Sequence, residues 1–184
     1  VLNQNPRIRK MLLSTILRRR DLDYLELWLK NAIDLDLSVH YHPIHEAAET
    51  GWVGGVQLLL DHGIDVNCRE HFYNWTPLHA AASGNDTLAL KFLISRGADI
   101  GARATDGETA LHVVAWQKCG LRSAKLLIEH GADINAKGNE SNTPLGTAVA
   151  NGNWAMVRLL LEHGAEPSSK EEIVVALEEF LDQD

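Results

Sequence analysis

Pairs of large aliphatic residues recur along the chain, and each pair is followed three residues later by a glycine. The pairs begin at Leu59, Leu93, Leu127 and Leu160. The glycines are spaced by 34, 34 and 33 residues and are Gly63, Gly97, Gly131 and Gly164. An aliphatic pair ahead of a glycine is typical of the last turn of an amphipathic helix, since glycine readily adopts the left-handed conformation that ends helices. The pattern therefore predicts four similar outer helices.

A second phrase precedes each of these helices and keeps the same period. It begins at His42, Thr76, Thr109 and Thr143, with spacings of 34, 33 and 34 residues. Thr76 and Thr143 are each followed by proline, which combines a capping hydroxyl with the residue best suited to the first helical position. The small residues that follow predict a short inner helix. Each period is thus a helix–turn–helix unit that cannot bury its apolar face alone, so successive units must stack.

The two ends of the chain carry weaker versions of this unit. Asn5 and Pro6 form a suitable helix start, and two helices are predicted over residues 6–31, separated near Arg20 and Asp21. We interpret residues 1–39 as a degenerate N-terminal capping repeat. At the other end, Ser168 and Glu171 predict a capping box that opens a C-terminal capping helix over residues 168–184. The apolar residues of that helix share one face and are Ile173, Val174, Leu177, Phe180 and Leu181.

Together these phrases resemble the ankyrin-repeat family. Residues 76–82 carry the phrase Thr-Pro-Leu-His-x-Ala-Ala, and the outer helices carry Leu-Leu-x-x-Gly-Ala-Asp or close variants of it. The resemblance covers residues 40–167, with four clear repeats at about 40–67, 74–101, 107–135 and 141–167. It implies one all-α domain over residues 1–184, an ankyrin-repeat solenoid of stacked helix–turn–helix units with β-hairpin tips.

Two repeats depart from the family pattern. In the third, residues 116–120 lengthen the turn between the helices. In the fourth, Gly146 stands where the family has a histidine. That histidine normally ties neighbouring loops together in the family, so the resemblance implies that the fourth repeat is the softer part of the stack.

Composition and charge exclude several classes of protein. The chain has 184 residues, of which 45% are hydrophobic and 23% charged, so it can form an ordinary globular core. A net charge of -8 makes nucleic-acid binding a poor expectation, although the first twenty residues hold six basic and no acidic side chains. The apolar runs are too short to span a membrane. Two isolated cysteines favour a reducing, intracellular location, in the cytoplasm or nucleus, and we expect a monomer.

No catalytic, metal or cofactor site is expected. The resemblance gives His45, His79 and His112 structural roles, while His62, His130 and His163 precede the glycines that end the outer helices, where a partly positive ring is favoured. Zinc binding by His40 and His42 lacks a helical His-Glu-x-x-His pattern or cysteine partners. The sequence contains neither a readable nucleophile–base pair nor a phosphate-binding glycine loop.

The residues that differ between repeats are the candidates for recognition. In ankyrin-like proteins, partners usually contact the tips and the exposed side of the inner helices. An aromatic centre is predicted at Tyr41, Phe72, Tyr73 and Trp75, since aromatic residues often anchor interfaces. The other predicted partner-binding residues are mostly polar and lie on later tips and on one inner helix: Arg103, Asp106, Glu108, Trp116, Asn139, Glu140 and Asn142. Alternatively, Phe72 or Trp75 folds back onto the adjacent hairpin, or a flanking segment covers them. Trp52 and Trp154 are interpreted as packing residues.

The leading hypothesis is a non-enzymatic module that binds a peptide or folded protein on a concave face of tips and inner helices. Because the chain begins at Val1 without methionine, an alternative is the recognition arm of a larger multidomain enzyme whose catalytic part lies elsewhere. A weaker alternative is an anionic ligand or lipid headgroup bound at the basic N-terminal cap, around Arg18 and Arg19. The resemblance also raises hydroxylation of Asn67 or Asn135 as a hypothesis.

Overall fold

The computed structural model describes residues 6–31, 43–139 and 142–170, together with 172 and 174. These residues hold ten α-helices and no β-strand. Contacts between backbone segments divide the chain into two compact units, Val1–Ala98 and Asp99–Asp184. We call them the N-terminal unit and the C-terminal unit and describe each by itself.

The N-terminal unit consists of three antiparallel helix pairs. Its helices are α1 (Pro6–Arg19), α2 (Leu22–Asn31), α3 (Pro43–Glu49), α4 (Val53–Asp61), α5 (Pro77–Ser83) and α6 (Thr87–Ser95). The inner helices α1, α3 and α5 pack side by side in one row, and the outer helices α2, α4 and α6 pack in a second row. The two helices predicted over residues 6–31 are present and are separated at Arg20, whose φ of 54° is left-handed.

Apolar residues that face the neighbouring helices form the core of this unit. Leu17, Leu25, Ile44, Leu59 and Leu90 are among its fully buried side chains. The alanines of α3 and α5 are buried as well, which lets the short inner helices approach closely. Because each helix contributes only one apolar stripe, the helices depend on their neighbours for burial.

Two buried threonines in equivalent positions start inner helices in the two units. The backbone N–H of Thr76 donates to Nδ1 of His79 over 3.2 Å, and the N–H of Thr109 donates to Nδ1 of His112 over 3.1 Å. Both imidazoles are fully buried. Nδ1 therefore serves as an acceptor, which leaves the ring proton on Nε2 and free to be donated elsewhere.

Outer helices end as the sequence predicts. Gly63 has a φ of 87°, in the left-handed region that favours glycine. Just before it, Nδ1 of His62 lies 2.8 Å from the carbonyl oxygen of Leu58. His130 and His163 make the same contact with Leu126 and Leu159. These three histidines thus cap the carbonyl ends of their helices.

The C-terminal unit contains two helix pairs. They are α7 (Ala110–Trp116) with α8 (Leu121–Glu129), and α9 (Pro144–Ala150) with α10 (Trp154–Glu162). Helix α7 packs on α9, and α8 packs on α10. The turn between α7 and α8 has four residues, whereas the turns within the pairs α3–α4, α5–α6 and α9–α10 have three. The predicted lengthening of this turn is confirmed.

Asn153 attaches the long turn to the next helix pair. Its side chain is almost fully buried, and its Oδ1 accepts from the backbone N–H of Met156 at the start of α10. Its Nδ2 donates to the carbonyl oxygens of Gln117 at 2.8 Å and Ala115 at 3.4 Å. One amide side chain therefore caps α10 and also satisfies carbonyls at the end of α7.

The chain after α10 is held by a buried glutamate. Glu172 accepts from both the backbone N–H and the hydroxyl of Ser168, and its side chain is buried. Glu171 lies outside the described residues. A Cβ built on Gly146 would come within 2.8 Å of Oε1 of Glu172. The carboxylate thus lies beside the position where the family has a histidine.

Most of the predicted C-terminal capping helix falls outside the described residues. Of its five apolar positions only Val174 is described, and its side chain is exposed. Of the two tryptophans interpreted as packing residues, Trp52 is buried with its ring over Gly55, so that prediction is confirmed. Trp154 is 46% exposed, and the prediction was wrong for it because its ring extends from the outer face of α10.

Candidate functional site

Among the described residues of the N-terminal unit, the two most exposed aromatic side chains lie on one turn, residues 69–75, which we call the aromatic tip. The turn is closed by a backbone hydrogen bond of 2.9 Å from the N–H of Glu70 to the carbonyl of Trp75. It forms no β-ladder. The tips of the C-terminal unit are likewise turns, closed by single bonds such as the one from Ala104 to Glu108. The expected hairpin tips are therefore present as hydrogen-bonded turns without strands in the described part of the chain.

Glu70 organises the aromatic tip. Its carboxylate accepts from the backbone N–H groups of Phe72 at 2.8 Å, Tyr73 at 2.5 Å and Trp75 at 3.2 Å. Partial burial opposes ionisation of this carboxyl group, but the three N–H donors outweigh it and lower the pKa of Glu70. The ionised carboxylate is therefore the form that holds the turn.

Two further residues fix the end of the turn. The guanidinium of Arg69 donates to the carbonyl of Asn74 at 3.0 Å. Asn74 itself has a φ of 58°, a left-handed conformation that asparagine tolerates better than most residues. From α3, Nε2 of His45 lies 2.9 Å from the carbonyl oxygen of Trp75. The tip is thus attached to an inner helix of the same unit.

The rings on this turn differ in exposure. Phe72 and Tyr73 are 69% and 65% exposed; the ring of Phe72 meets that of His71 edge-on, and the ring of Tyr73 lies beside that of Trp75. Trp75 is half-buried, and its ring stacks on that of His79 in α5 with centroids 6.1 Å apart. Trp75 is therefore partly covered by a ring of the following helix, whereas Phe72 stays exposed. The rings of Phe72 and Tyr73 remain accessible, and the ring of Trp75 packs beside that of Tyr73.

The inner-helix face of the N-terminal unit also carries charge. Nε of Arg18 lies 3.8 Å from Oε1 of Glu46, a loose ion pair between α1 and α3. Burial raises the pKa of Glu46, and this effect exceeds the opposing attraction of Arg18. Arg20 donates to the carbonyl of Thr50. Two of the cap's basic side chains thus already have protein partners, which weakens the case for an anionic ligand there.

Arg103 joins the two tips of the C-terminal unit. Its guanidinium donates to the carbonyl oxygens of Gly107 at 3.1 Å and Lys137. The backbone N–H of Asn139 donates to the carbonyl of Asp106 at 2.7 Å, which gives the two tips a second connection. Arg103 is predicted to bind a partner, but its hydrogen bonds to the carbonyls of Gly107 and Lys137 give it an additional structural role.

The charged residues on the first of these tips are only partly available. Asp106 accepts from the N–H of Glu108 at 3.1 Å through its side chain. Burial and the nearby Asp106 raise the pKa of Glu108, whose side chain is half-buried. The side chain of Asn139 is exposed.

Asn142 belongs to the supporting structure. Its carbonyl oxygen lies 3.2 Å from Nε2 of His112, and its Nδ2 donates to the hydroxyl of Thr147 at 2.8 Å. Burial lowers the pKa of His112, so the neutral ring is favoured. The side chain of Asn142 is half-buried in this arrangement, which limits its contribution to a contact surface.

Trp116, the last residue of α7, is 66% exposed, as expected for an inner-helix contact residue. Tyr41 and Glu140 lie outside the described residues. Sequence reasoning missed Glu70 as a residue that holds the aromatic tip, whereas the resemblance had already given His45 a structural role between loops. The sequence signal that could have indicated Glu70 is its position, since it is an acidic residue two positions before Phe72 on a predicted turn.

The described residues give no sign of other chemistry. Within them, no three His, Cys, Asp or Glu side chains form a group able to hold a metal ion. No helix in the same segments combines the length and apolarity needed to cross a membrane. Cys68 and Cys119 are not joined in a disulfide.

Paired helices in rows, joined by hydrogen-bonded tips, define a helical repeat protein. The family model described as ankyrin repeats (three copies) matches residues 12–104 and 85–171. The chain therefore belongs to the ankyrin-repeat family, whose repeats are generally protein–protein interaction modules and whose fold is typically non-catalytic.

Three curated proteins show local similarity. Alpha-latrotoxin-Lt1a of Latrodectus tredecimguttatus and alpha-latrotoxin-Lh1a of Latrodectus hasselti are each 37% identical over 73 residues. Alpha-latrotoxin-Lhe1a of Latrodectus hesperus is 36% identical over the same length. In each case the match covers 39% of this chain but only 5% of the relative.

Proposed function

We propose that this protein is a non-enzymatic binding module that captures a peptide or folded protein through its tips and inner helices, with the aromatic tip as the anchor. The observation that carries the proposal is the exposure of Phe72 and Tyr73 on a turn whose backbone is fixed. Large exposed rings are costly in water, and aromatic side chains are the usual hot spots of interfaces.

Rigid presentation is the proposed mechanism. Glu70, Arg69 and His45 hold the turn before a partner arrives, so little backbone entropy is lost on binding. Each ring can bury about 150–250 Å² of surface, mostly apolar. The partner should therefore offer an apolar pocket or groove that accepts one or both rings.

In the C-terminal unit, we propose that Trp116, Asp106, Glu108 and Asn139 contribute polar and aromatic contacts. Arg103 and Asn142 would act mainly by holding the tips in place, since their donors are used within the unit. If Trp116 contacts the partner and does not hold the tips, then Trp116→Ala should weaken binding without lowering the stability of the fold.

The experiment that tests the proposal compares affinity capture by wild type with capture by the double variant Phe72→Ala/Tyr73→Ala. Trp75 is kept because it packs on His79. Leu88→Ala is the matched control, since Leu88 is an exposed apolar residue of the same unit, at 69%, but lies on α6 away from the tip. Proteins captured from the source cells are identified by mass spectrometry, and helicity is compared by circular dichroism.

A partner retained by wild type and by Leu88→Ala, but lost by the double variant, would support the aromatic tip as the anchor. If the double variant captures the same proteins with the same yield, the anchor assignment is wrong. Capture of nucleic acid instead of protein would contradict the function itself.

We also propose that the protein acts as a monomer inside cells, without binding nucleic acid. The two cysteines, which are far apart in the sequence and not joined in a disulfide, support a reducing location. Sedimentation at micromolar concentration tests the monomer, and thiol labelling in freshly opened source cells tests the location. A native disulfide would count against it.

A further inference from the structure

A groove of about 570 Å³ lies between the outer helices α8 and α10 of the C-terminal unit. Arg122 and Lys125 of α8 line it, together with Trp154 and Arg158 of α10. All four side chains are exposed, and Trp154 is 46% accessible. The groove is on the outer-helix side, so it is separate from the tips and inner helices discussed above.

The groove combines an apolar floor with positive walls. Leu159 is buried beneath it and Leu121 is half-buried beside it. Three of the lining side chains are cationic, and Glu162 is the one carboxylate among the lining residues. This surplus of positive charge lies on a protein whose net charge is -8.

Packing of the repeats does not require two of these residues, Trp154 and Arg122. The first residue of the outer helix is Val53 in α4, Thr87 in α6 and Leu121 in α8. In α10 it is Trp154, so the other helix pairs pack without an indole at this position. The second position is Gly54 in α4 and Leu88 in α6, so the cation Arg122 is likewise specific to α8. Residues that differ from their counterparts and remain exposed are available for recognition.

We propose that the α8–α10 groove binds an acidic peptide segment of a partner protein, with an aliphatic side chain of the peptide packed against Trp154 and Leu159. Flanking carboxylates of the peptide would pair with Arg122, Lys125 and Arg158. Charge complementarity selects this occupant, because carboxylates on either side of an apolar side chain match cations on either side of an apolar floor.

A peptide suits this groove better than a nucleic acid does. Polyphosphate gains most of its affinity from long positive stripes, whereas this protein is acidic overall and places Glu162 within the groove itself. The aliphatic floor would add nothing for a phosphate backbone. The indole alone could stack on a base, so an oligonucleotide is included as a probe.

The test uses the full chain and fluorescence anisotropy. The probe is a fluorescent peptide in which a leucine–isoleucine pair is flanked on both sides by aspartates and glutamates. Three other probes accompany it: the same peptide with its carboxylates changed to amides, a version with serines in place of the apolar pair, and a single-stranded oligonucleotide. The protein variants are Arg122→Glu/Lys125→Glu and Trp154→Ser.

Lys118→Glu/Lys137→Glu is the matched control, because it changes the net charge by the same amount at exposed sites of the same unit outside the groove. Saturable binding of the acidic peptide should weaken about tenfold or more in the Arg122 and Lys125 variant, and should be nearly unchanged in the control. Trp154→Ser should reduce affinity for the acidic peptide but leave the weak binding of the serine version unaltered. Binding should also fall as salt is raised.

Three outcomes would overturn the proposal. They are no saturable binding of the acidic peptide, equal weakening by the groove and control variants, and tighter binding of the oligonucleotide. The variant Phe72→Ala/Tyr73→Ala should bind the acidic peptide like wild type, so failure of the groove proposal and failure of the proposed tip anchor give different results.

Discussion

Nε2 of His45 lies 2.9 Å from the carbonyl oxygen of Trp75, thirty residues further along the chain. In the C-terminal unit His112 stands in the same relationship to Asn142, also thirty residues away, at 3.2 Å. In each case an imidazole on one inner helix reaches the carbonyl just before the next inner helix. One side chain thus connects consecutive repeats at their tips.

Replacing His45 by alanine should destabilise the N-terminal unit by about 1 kcal/mol, because the carbonyl of Trp75 loses the imidazole and keeps the N–H of Glu70 as its donor. Urea unfolding followed by circular dichroism measures the change. His62→Ala is the control, since His62 is exposed and bonds only within its own helix. An equal loss in both variants would mean that the contact from His45 to the tip adds nothing.

The order of the aromatic tip should depend on pH through Glu70. Its pKa in the folded protein is lowered, so the stabilisation from the ionised carboxylate is present above the ordinary value of 4.5 and is lost as the pH falls through the lower folded value. Amide exchange at Phe72, Tyr73 and Trp75, corrected for intrinsic rates, should therefore accelerate in acid.

In Glu70→Gln, the same amides should exchange several-fold faster at neutral pH and should show less additional change in acid, because the charge-assisted bonds are weakened. Amides within α5 serve as the internal reference. Unchanged protection at the tip would show that the carboxylate does not order it.

Two glycines should respond oppositely to alanine. At Gly146 a Cβ would lie 2.8 Å from Oε1 of Glu172 and 2.9 Å from Oδ1 of Asn142, so loss of the buried bonds from Ser168 to Glu172 should outweigh the gain in helix propensity and give a net cost of up to about 1 kcal/mol. At Gly54 the nearest atom is a methyl group of Leu22 at 3.4 Å, an ordinary contact, so helix propensity should stabilise the variant by about 0.5–1 kcal/mol. Denaturant midpoints decide the signs, and a stabilised Gly146→Ala would contradict the placement of Glu172.

The two thiols should react at very different rates. Burial, with a further contribution from the charge of Asp65, raises the pKa of Cys68 to about 12, so little thiolate forms at neutral pH. Cys119 is exposed. Iodoacetamide should alkylate Cys119 first, as peptide mass spectrometry can follow. Labelling of Cys68 at a similar rate under native conditions would show that its surroundings open readily.

The repeated helices could be predicted because their signals are local. Threonine and proline start the inner helices, glycine ends the outer ones, and each signal acts within one turn of its own position. The long turn between α7 and α8 could be predicted for the same reason, because the third repeat has one extra residue between the motifs that mark its two helices.

Contacts between distant positions could not be predicted in this way. The bond between Ser168 and Glu172 depends on the direction of the chain after α10, and the space beside Gly146 exists only once the repeats are stacked. Likewise, the exposure of Trp154 depends on which face α10 presents to α8. The sequence offered Phe72 and Trp75 as equal candidates for exposure, yet the ring of Trp75 stacks on His79 and is half-buried, whereas the ring of Phe72 meets His71 edge-on and stays exposed.

The amide of Asn153 links two sequence changes in this chain: substitution of the asparagine and a change in the length of the turn between α7 and α8. An aspartate, which caps the equivalent helix α6 as Asp86, could still accept from Met156 but could not donate to Gln117 and Ala115. The extra residue in the preceding turn and the asparagine in the next repeat are therefore expected to occur together. Loss of the asparagine while the turn keeps its extra residue would leave the carbonyls of Gln117 and Ala115 without this donor, whereas a turn of ordinary length would tolerate the aspartate found in α6.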